Sequence, residues 1–557
     1  METIYRITGQ LWGRFISWMK EEKNQLRFIL VCFVISLIPL LVLSFFNHPA
    51  MDDFNYGILT RHALLENEGL AVIPAVLKAA VQRAVNLWHS WQGTYTFAII
   101  AALRPSIITE RITFIQTFIL LGIFTAGFWY FCQVMLHRLL GLSKAVAAVT
   151  TCVVMTLCIQ YVPFGVEAFY WWNGSVGYTG LFSVMLILFG MLADSLRRGK
   201  ISVRRMTALL ALEFLLAGGM YPTALLTAVV LFLVMVDGLA GRKYGRNLKI
   251  QLTVLFLLYL PEFGLSIIAP GNARRQALFQ HRTPFEAIYK SYTKSLEYMF
   301  TEATNAVMIL VIIALFLYMF WKLKDSRFQF RCPFMFTLVS YSMVVVMWVP
   351  GIYAVRYISG GRYYNILLYG VVLFYAANAV YYAGWLRRQY EKCGAEAMEV
   401  LQKAVPVILG TAGILCAVIG VWKVDIVTDL EEITTASALK SLVYGEAQVY
   451  DQEIRAREAL YNDPNVKEVY VEEVTYRPEL LYYGTLTEDP EDGRNLAMCE
   501  YYDKDFMVKI VEDTEENTEE NTEEDTGEAG AEETPETGEN TGENTSEEME
   551  TSEGSVK

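Results

Sequence analysis

Residues 28–47, FILVCFVISLIPLLVLSFFN, form an uncharged run of 20 residues that decides the fold class. About 20 apolar helical residues span the hydrocarbon core of a membrane. Further runs of this kind occur at 112–136, 145–163, 176–193, 250–268, 303–321, 333–355, 365–386 and 404–422. Segment 206–236 is too long for one span and is interrupted by Gly-Gly-Met-Tyr-Pro at 218–222, so it predicts two short helices. The sequence therefore predicts an all-α polytopic membrane protein with about eleven transmembrane helices.

The composition agrees with this class. Hydrophobic residues make up 54% of the 557 residues and charged residues 19%, fewer than the quarter that is usual in soluble chains. Residues 511–557 hold nineteen acidic residues and one lysine, and removing their net charge of −18 from the overall −13 leaves +5 for the rest. These values exclude a nucleic-acid-binding protein, a soluble enzyme and a secreted disulfide-bonded module.

The distribution of lysine and arginine predicts the orientation in the membrane. With the N-terminus inside, the inner segments carry 24 basic residues in 87 positions, whereas the outer loops before residue 423 carry 12 in about 126. Cytoplasmic loops are enriched in basic residues. The sequence therefore predicts a cytoplasmic N-terminus and a C-terminus outside the cell membrane.

These spans and loops divide the chain into four predicted parts. They are a cytoplasmic N-terminus at 1–27, a membrane domain at 28–422, an outer α/β appendage at 423–509 and a disordered acidic tail at 510–557. The membrane domain has large outer loops at 47–111 and 269–302, and the first contains an amphipathic helix near 70–90 that is expected to lie on the membrane surface. In the appendage, the pattern predicts a helix over 436–461 and a strand around 469–471.

The first candidate site is the acidic pair in Asp52-Asp53-Phe-Asn-Tyr56-Gly57, just beyond the first span. Two adjacent carboxylates repel each other, which raises the pKa of one of them. Such a pair suits a base that takes a proton from a sugar hydroxyl, or a cation site. The alternative is a structural role, in which the pair satisfies free N–H groups at a helix N-terminus.

The second candidate site is the short loop that contains Glu167, Trp171, Trp172, Asn173 and Tyr178. Aromatic faces beside carboxylate and amide groups match a carbohydrate ring, because its C–H faces stack while its hydroxyls form hydrogen bonds. The alternative is an aromatic belt at the membrane interface.

Two further outer loops carry arginines. One contains Asn272, Arg274 and Arg275 in the sequence Pro-Gly-Asn-Ala-Arg-Arg, and the other contains Arg356 and Arg362 around two glycines. Guanidinium groups beside turns that present backbone N–H groups match a phosphate. Lipid headgroup binding is the alternative for the first loop, and a plain turn with interface anchors is the alternative for the second.

Two carboxylates, Glu213 and Glu262, fall within predicted spans, where acidic residues are paired or functional by default. The five histidines have no metal-ligand spacing, so no metal and no other cofactor is predicted. A divalent cation at the Asp52-Asp53 pair remains the one metal alternative.

Taken together, the motifs resemble the GT-C superfamily, the integral membrane glycosyltransferases that use polyprenyl-phosphate sugars. The Asp-Asp-x-x-Tyr-Gly motif after the first span carries the resemblance to the superfamily. The Trp-Trp-Asn-Gly, Pro-Gly-Asn-x-x-Arg and Gly-Arg-Tyr motifs look like those of a bacterial subfamily of unknown function that is similar to O-antigen glucosyltransferases. The resemblance covers roughly residues 26–509, and the acidic tail has no counterpart in it.

This resemblance implies an inverting enzyme of the bacterial inner membrane that moves a sugar from a polyprenyl phosphate to an envelope glycan or lipid acceptor on the outer face. Asp52 would be the catalytic base, and Asp53 would position the acceptor or hold Asp52. The outer-loop arginines, Arg274, Arg275, Arg356 and Arg362, would bind the donor phosphate. The aromatic loop and Asn272 would bind the sugar or the acceptor, and no nucleic acid is involved.

Two other functions stay open from the sequence. A transporter or flippase for a lipid-linked saccharide would explain the break at 218–222 and the intramembrane Glu213, but it predicts internal repeats that the sequence does not show clearly. A scaffold or sensor would use the appendage to bind a partner, which leaves the acidic pair and the arginine loops without a role.

Overall fold

A computed structural model of the protein describes residues 13–241, 244–358, 360–392 and 432–510. In the membrane domain, the described helices are α1 Glu22–Leu43, α2 Asp52–Glu66, α3 Val72–Ser90, α4 Tyr95–Ala102, α5 Phe114–Cys132, α6 Lys144–Gln160, α7 Leu181–Arg198, α8 Val203–Ala217, α9 Tyr221–Ala240, α10 Arg246–Ile267, α11 Pro270–Ala277, α12 Pro284–Thr301, α13 Ala306–Lys322, α14 Pro333–Val355 and α15 Gly361–Lys392. Between α6 and α7, two π-helical turns, Val166–Tyr170 and Val176–Gly180, flank one short α-helical turn, Trp172–Ser175.

Nine helices in the described part of the chain are long and apolar enough to cross a membrane. Eight of them coincide with predicted spans, so the protein is a multi-pass membrane protein. The predicted spans at 145–163 and in the first half of 206–236 are the shorter helices α6 and α8, and the span at 404–422 lies outside the described residues. The ninth helix, Gly69–Ser90, lies in the predicted first outer loop, where the sequence predicts a helix on the membrane surface.

The predicted break at 218–222 is confirmed, because α8 ends one residue before Gly218 and α9 begins three residues after it. The Gly218 carbonyl accepts hydrogen bonds from the backbone N–H groups of Thr96 and Phe97, in the first turn of α4. A Cβ at Gly218 would lie 2.5 Å from the ring of Tyr95. The break at 218–222 therefore fixes the position of the first turn of α4.

The appendage contains the helices α16 Thr434–Val443, α17 Glu446–Tyr461 and α18 Gly493–Tyr502 and the strands β1 Glu468–Val471 and β2 Phe506–Lys509. The two strands are parallel, with Val469 opposite Met507. The predicted helix over 436–461 is divided at Gly445, whose φ of 79° ends regular helix geometry. The predicted strand is confirmed as β1.

The appendage packs on one end of the membrane helices, which we call the appendage end. The Thr435 hydroxyl donates to the Ser36 carbonyl of α1 at 2.7 Å, and the Thr434 hydroxyl donates to the Ile159 carbonyl of α6 at 2.7 Å. Buried side chains of β1, β2 and α18 form one apolar cluster with Phe54 of α2. Helix α2 therefore lies between the membrane helices and the appendage.

A buried histidine adds a polar contact between the first loop and the appendage. The His48 ring nitrogens lie 3.0 Å from an Asp451 oxygen and 2.8 Å from a Glu458 oxygen, both on α17. Burial alone would lower the pKa of His48, but the hydrogen bonds to the two carboxylates outweigh it and raise the pKa above 6.5. Both nitrogens can donate only when the ring is protonated.

We expect the stability that His48 contributes to be present below about pH 6.5 and to be lost as pH rises through its raised pKa. Charged hydrogen bonds contribute about 1.5–3 kcal/mol, so the loss should be of that size. Thermal unfolding of the purified protein at a series of pH values measures it. A His48→Gln variant should lack this pH dependence, and an unchanged dependence in that variant would assign the effect to another group.

Candidate functional site

The site begins at the sharp entry into α2. Met51 has a positive φ of 49°, and Asp52 and Asp53 are the first two residues of the helix. Because successive helical residues point about 100° apart, the two carboxylates face different surroundings. Asp53 is 1% exposed, whereas Asp52 is exposed.

Asp53 is part of the interior. One carboxylate oxygen accepts the Ala50 N–H at 3.2 Å, the other accepts the Asn173 N–H at 3.3 Å, and the Arg104 guanidinium lies 3.7 Å away. Burial raises the pKa of Asp53 to about 6, although Arg104 and the two N–H groups act in the opposite direction. Asp53 therefore has structural contacts, but it does not cap α2 as the alternative proposed, because the two N–H groups belong to Ala50 before the helix and to Asn173 in the aromatic loop.

Arg104 was not a predicted site residue. Its side chain is fully buried, and its guanidinium lies 5.3 Å from the Phe54 ring centre and 5.1 Å from that of Tyr501 in the appendage. A Cβ at Gly57 would lie 3.0 Å from Tyr501 and 3.3 Å from Arg104. The glycine of the Asp-Asp motif is thus the position that lets this cation approach α2. A lone arginine directly after the apolar run 97–103 was the available sequence signal.

Asp52 is the exposed member of the acidic pair. Among the described residues, no group donates a hydrogen bond to its carboxylate, and the side chain is accessible to water. Protein nevertheless surrounds it closely enough for burial to raise its pKa, while the charges of nearby arginines lower it. We call the surroundings of the Asp52 carboxylate the recess. The arginines that act on it are Arg83, Arg275, Arg362 and Arg494.

Arg362, the second residue of α15, is one wall of this recess. Its guanidinium lies 3.5 Å from a Glu167 oxygen, 4.9 Å from the Trp171 ring centre and 6.0 Å from the Tyr178 ring centre. Its side chain is 29% exposed, so the other face of the guanidinium is open to the recess. The aromatic loop and the second arginine loop thus meet at one place.

Hydrogen bonds and ring stacking fix the positions of the two tryptophan side chains in the aromatic loop. The Trp171 indole N–H donates to the Ala50 carbonyl at 2.9 Å, and its ring stacks on Tyr483 of the appendage at 4.0 Å. The Trp172 indole N–H donates to the Ile100 carbonyl at 3.1 Å. Both tryptophans are buried, so they form part of the wall of the recess and do not form an aromatic belt exposed at the membrane interface.

Asn173 has spare hydrogen-bonding capacity in this wall. Its side chain is 3% exposed, and neither amide atom has a hydrogen-bond partner among the described residues, although its backbone holds Asp53. Buried amides are normally paired. The free amide of Asn173 is therefore a candidate contact for a bound ligand.

The Pro-Gly-Asn motif positions Arg275. Asn272 donates to the Ser266 and Ile267 carbonyls at 2.8 and 2.9 Å and accepts from Tyr221 at 2.7 Å, so its amide fixes α11 onto α10. The Arg275 guanidinium donates to the Gln92 side chain at 2.8 Å and lies 4.8 Å from the ring centre of Trp91. Asn272 thus has a structural role, because both its amide nitrogen and its amide oxygen already form hydrogen bonds within the protein. No free amide group is left for the predicted contact with the sugar.

The four predicted phosphate-binding arginines divide into two pairs. Arg275 and Arg362 are partly buried and act on Asp52, whereas Arg274 and Arg356 are exposed. Arg356 donates to the side chain of Gln280. The structure therefore brings one arginine from each loop to the recess and leaves one from each loop on the surface.

Arg83 is a recess residue that sequence reasoning missed. It lies on α3, where it donates to the side chain of Asn55 and its guanidinium is 5.7 Å from the Tyr56 ring centre. The sequence predicted α3 only as a helix on the membrane surface. The opposite side of α3 is apolar and exposed, notably at Val81 and Val85.

The two carboxylates predicted within spans, Glu213 and Glu262, do not join the recess. Both carboxylate oxygens of the buried Glu213 lack hydrogen-bond partners among the described residues, and neither Glu213 nor Glu262 is among the charges that act on Asp52. No group of three His, Cys, Asp or Glu residues that could hold a metal ion occurs in the described part of the chain. In the recess, the Asp52 carboxylate lies near several arginines. This arrangement suits an anionic ligand that the guanidinium groups bind, with a carboxylate beside it that can accept a proton.

The protein is a multi-pass membrane protein with a small α/β appendage, and its recess combines elements from both. Residues 52, 83, 275 and 362 come from four helices, and Tyr483 comes from the appendage. Comparison with known proteins adds no assignment to this geometry: no protein-family model, no curated protein and no solved structure matches the chain.

Proposed function

We propose that this protein is an inverting glycosyltransferase of the GT-C type, which moves a sugar from a polyprenyl phosphate to an envelope glycan or lipid acceptor on the outer face of the bacterial inner membrane. The observation that carries the proposal is the accessible Asp52 carboxylate facing Arg83, Arg275 and Arg362. A carboxylate beside several guanidinium groups is what a proton-accepting base next to a phosphate leaving group requires.

The chemistry is a single displacement. The acceptor hydroxyl oxygen attacks the anomeric carbon while the bond from that carbon to the phosphate oxygen breaks, and the hydroxyl proton passes to Asp52. The phosphate leaves with the bonding electron pair, and Arg275 and Arg362 stabilise the added negative charge. Because the attack occurs opposite the leaving group, the configuration at the anomeric carbon inverts.

Mass analysis of envelope glycans tests this function in cells that lack the protein. A missing sugar with unchanged lipid-linked precursors supports the transferase. A build-up of precursor on the inner leaflet would instead support a flippase, the second candidate. The helix break at 218–222 does not favour the flippase, because it is used to cap α4.

The two arginines near Asp52 and the two exposed arginines of the same loops allow a prediction with matched controls. We expect Arg275→Gln and Arg362→Gln each to lower the rate of transfer by about 10²-fold, since removal of one group that stabilises developing negative charge costs this much. The measurement is release of polyprenyl phosphate from a radiolabelled polyprenyl-phosphate hexose by the protein in lipid nanodiscs.

The controls are Arg274→Gln and Arg356→Gln, which remove the same charge from exposed positions of the same two loops. They should keep nearly full activity. Equal losses in all four variants would attribute the effect to the overall charge of the outer loops and would contradict a specific phosphate site.

A further inference from the structure

A second cavity, with a volume of about 400 Å³, lies at the appendage end of the bundle. It is bounded by the chain after α6, the end of α12, the first turns of α15 and the start of α16. None of the residues discussed as the candidate site lines it. The cavity therefore needs an explanation of its own.

Aromatic side chains form one part of its lining. Phe164 is 46% exposed, and Tyr364 is partly exposed. Tyr298 also lines the cavity, is only 3% exposed, and its hydroxyl has no hydrogen-bond partner in the described part of the chain. A buried hydroxyl without a partner is costly, so a ligand that supplies a hydrogen bond would be favoured at this position.

Carboxylates form the other part. Glu302, Glu432 and Glu479 line the cavity, and all three are exposed. Among the described residues, none that lines this cavity is a lysine or an arginine. The three carboxylates also do not form a group that could hold a metal ion. Hydrogen-bond acceptors spread around an aromatic wall suit a ligand with many separate hydroxyl donors, and they reject an anion.

We propose that this cavity binds an uncharged saccharide, and that this saccharide is the non-reacting part of the acceptor glycan. The second statement rests on the proposed function, whereas the first does not. The link between the two sites is Gly361, because a Cβ there would lie 2.2 Å from Phe164 in the cavity and 2.4 Å from Glu167 beside the recess. A single residue thus separates the saccharide cavity from the wall that holds Arg362.

Binding is tested first without reference to catalysis. The full-length protein in nanodiscs is mixed with isomaltotriose as an uncharged probe, with glucose 6-phosphate as an anionic probe and with glucosamine as an amine-bearing probe. Hydrogen exchange is followed at residues 298–305 and 432–437. Isomaltotriose is expected to slow exchange at both segments. Protection by either charged probe alone, or by none of the three, would overturn the proposal.

Two variants locate the site. Tyr298→Phe removes only the hydroxyl, and Glu479→Gln keeps the size of the side chain. Each should weaken isomaltotriose binding by about threefold to tenfold, the value of one hydrogen bond. Tyr470→Phe, at an exposed position of β1, is the matched control and should leave binding unchanged. Equal binding by Tyr298→Phe, Glu479→Gln and the control would place the saccharide elsewhere and overturn the assignment.

The role as acceptor site is tested separately in the transfer assay. Tyr298→Phe should raise the KM for the acceptor by the same factor while kcat and the KM for the donor stay unchanged. Normal isomaltotriose binding in a protein that shows no transfer would reject the proposed function and keep the saccharide site. Transfer with an unaltered acceptor KM in Tyr298→Phe would reject the acceptor role.

Discussion

Replacement of Asp52 by asparagine is expected to slow sugar transfer by about 10²–10⁴-fold and to leave the protein folded. Asparagine has nearly the same size but cannot take a proton from the acceptor hydroxyl. The carboxylate receives no hydrogen bond from the described residues, so its loss leaves no buried donor without a partner. The rate is measured as polyprenyl phosphate released from a polyprenyl-phosphate hexose in nanodiscs.

Thermal unfolding of Asp52→Asn provides the control and should give a midpoint close to that of the unchanged protein. An Asp52→Asn protein with full activity would remove the base assignment. A variant that fails to fold would instead show that the carboxylate stabilises the start of α2, which is the structural role considered from the sequence.

Replacement of Asp53 by asparagine is expected to cause a large loss of stability, in contrast to Asp52→Asn, which should leave the protein folded. At neutral pH the Asp53 carboxylate is mostly ionised, since its pKa is about 6, and it is the counter-charge of the fully buried Arg104 at 3.7 Å. Removing one partner of a buried ion pair costs about 3–5 kcal/mol, because the remaining charge is left unpaired. The free energy of unfolding in denaturant measures this loss.

The double variant Asp53→Asn with Arg104→Met separates charge from packing. Removing both charges should restore most of the lost stability, because a neutral pair of similar volume replaces the ion pair. No recovery in the double variant would show that the two backbone N–H groups held by Asp53, rather than Arg104, account for the loss. Asp52→Asn is the matched comparison one residue away.

The fold class was predictable because membrane spans depend on the length and hydrophobicity of a run of residues, which can be read directly from the sequence. An uncharged run of about 20 residues has few alternatives to a transmembrane helix. The break before Pro222 was equally visible, since Gly-Gly-Met-Tyr-Pro interrupts a run that is too long for one helix. The division of the appendage helix at Gly445 was missed, because an amphipathic pattern continues on both sides of it.

The candidate site was only partly predictable. The sequence predicted phosphate binding by both arginines of each motif, but only one of each pair acts on Asp52 and the other is exposed. The motif pattern does not show which arginine of a pair is directed inward. Arg83 was missed because the apolar side of α3 dominates its sequence pattern. Asn272 was predicted as a ligand-binding residue because an exposed polar motif and a helix-fixing amide look alike in a sequence.

The contact between His48 and α17 joins residues 403 and 410 positions apart, and Tyr483 stacks on Trp171, which lies 312 positions earlier in the chain. During synthesis, Asp52 and the aromatic loop leave the ribosome long before the segments that complete their surroundings. A partly made chain therefore has Asp52 in place before Tyr483 and α17 complete its surroundings. The recess exists in full only once the appendage, up to residue 510, has been synthesised and has packed on the membrane helices.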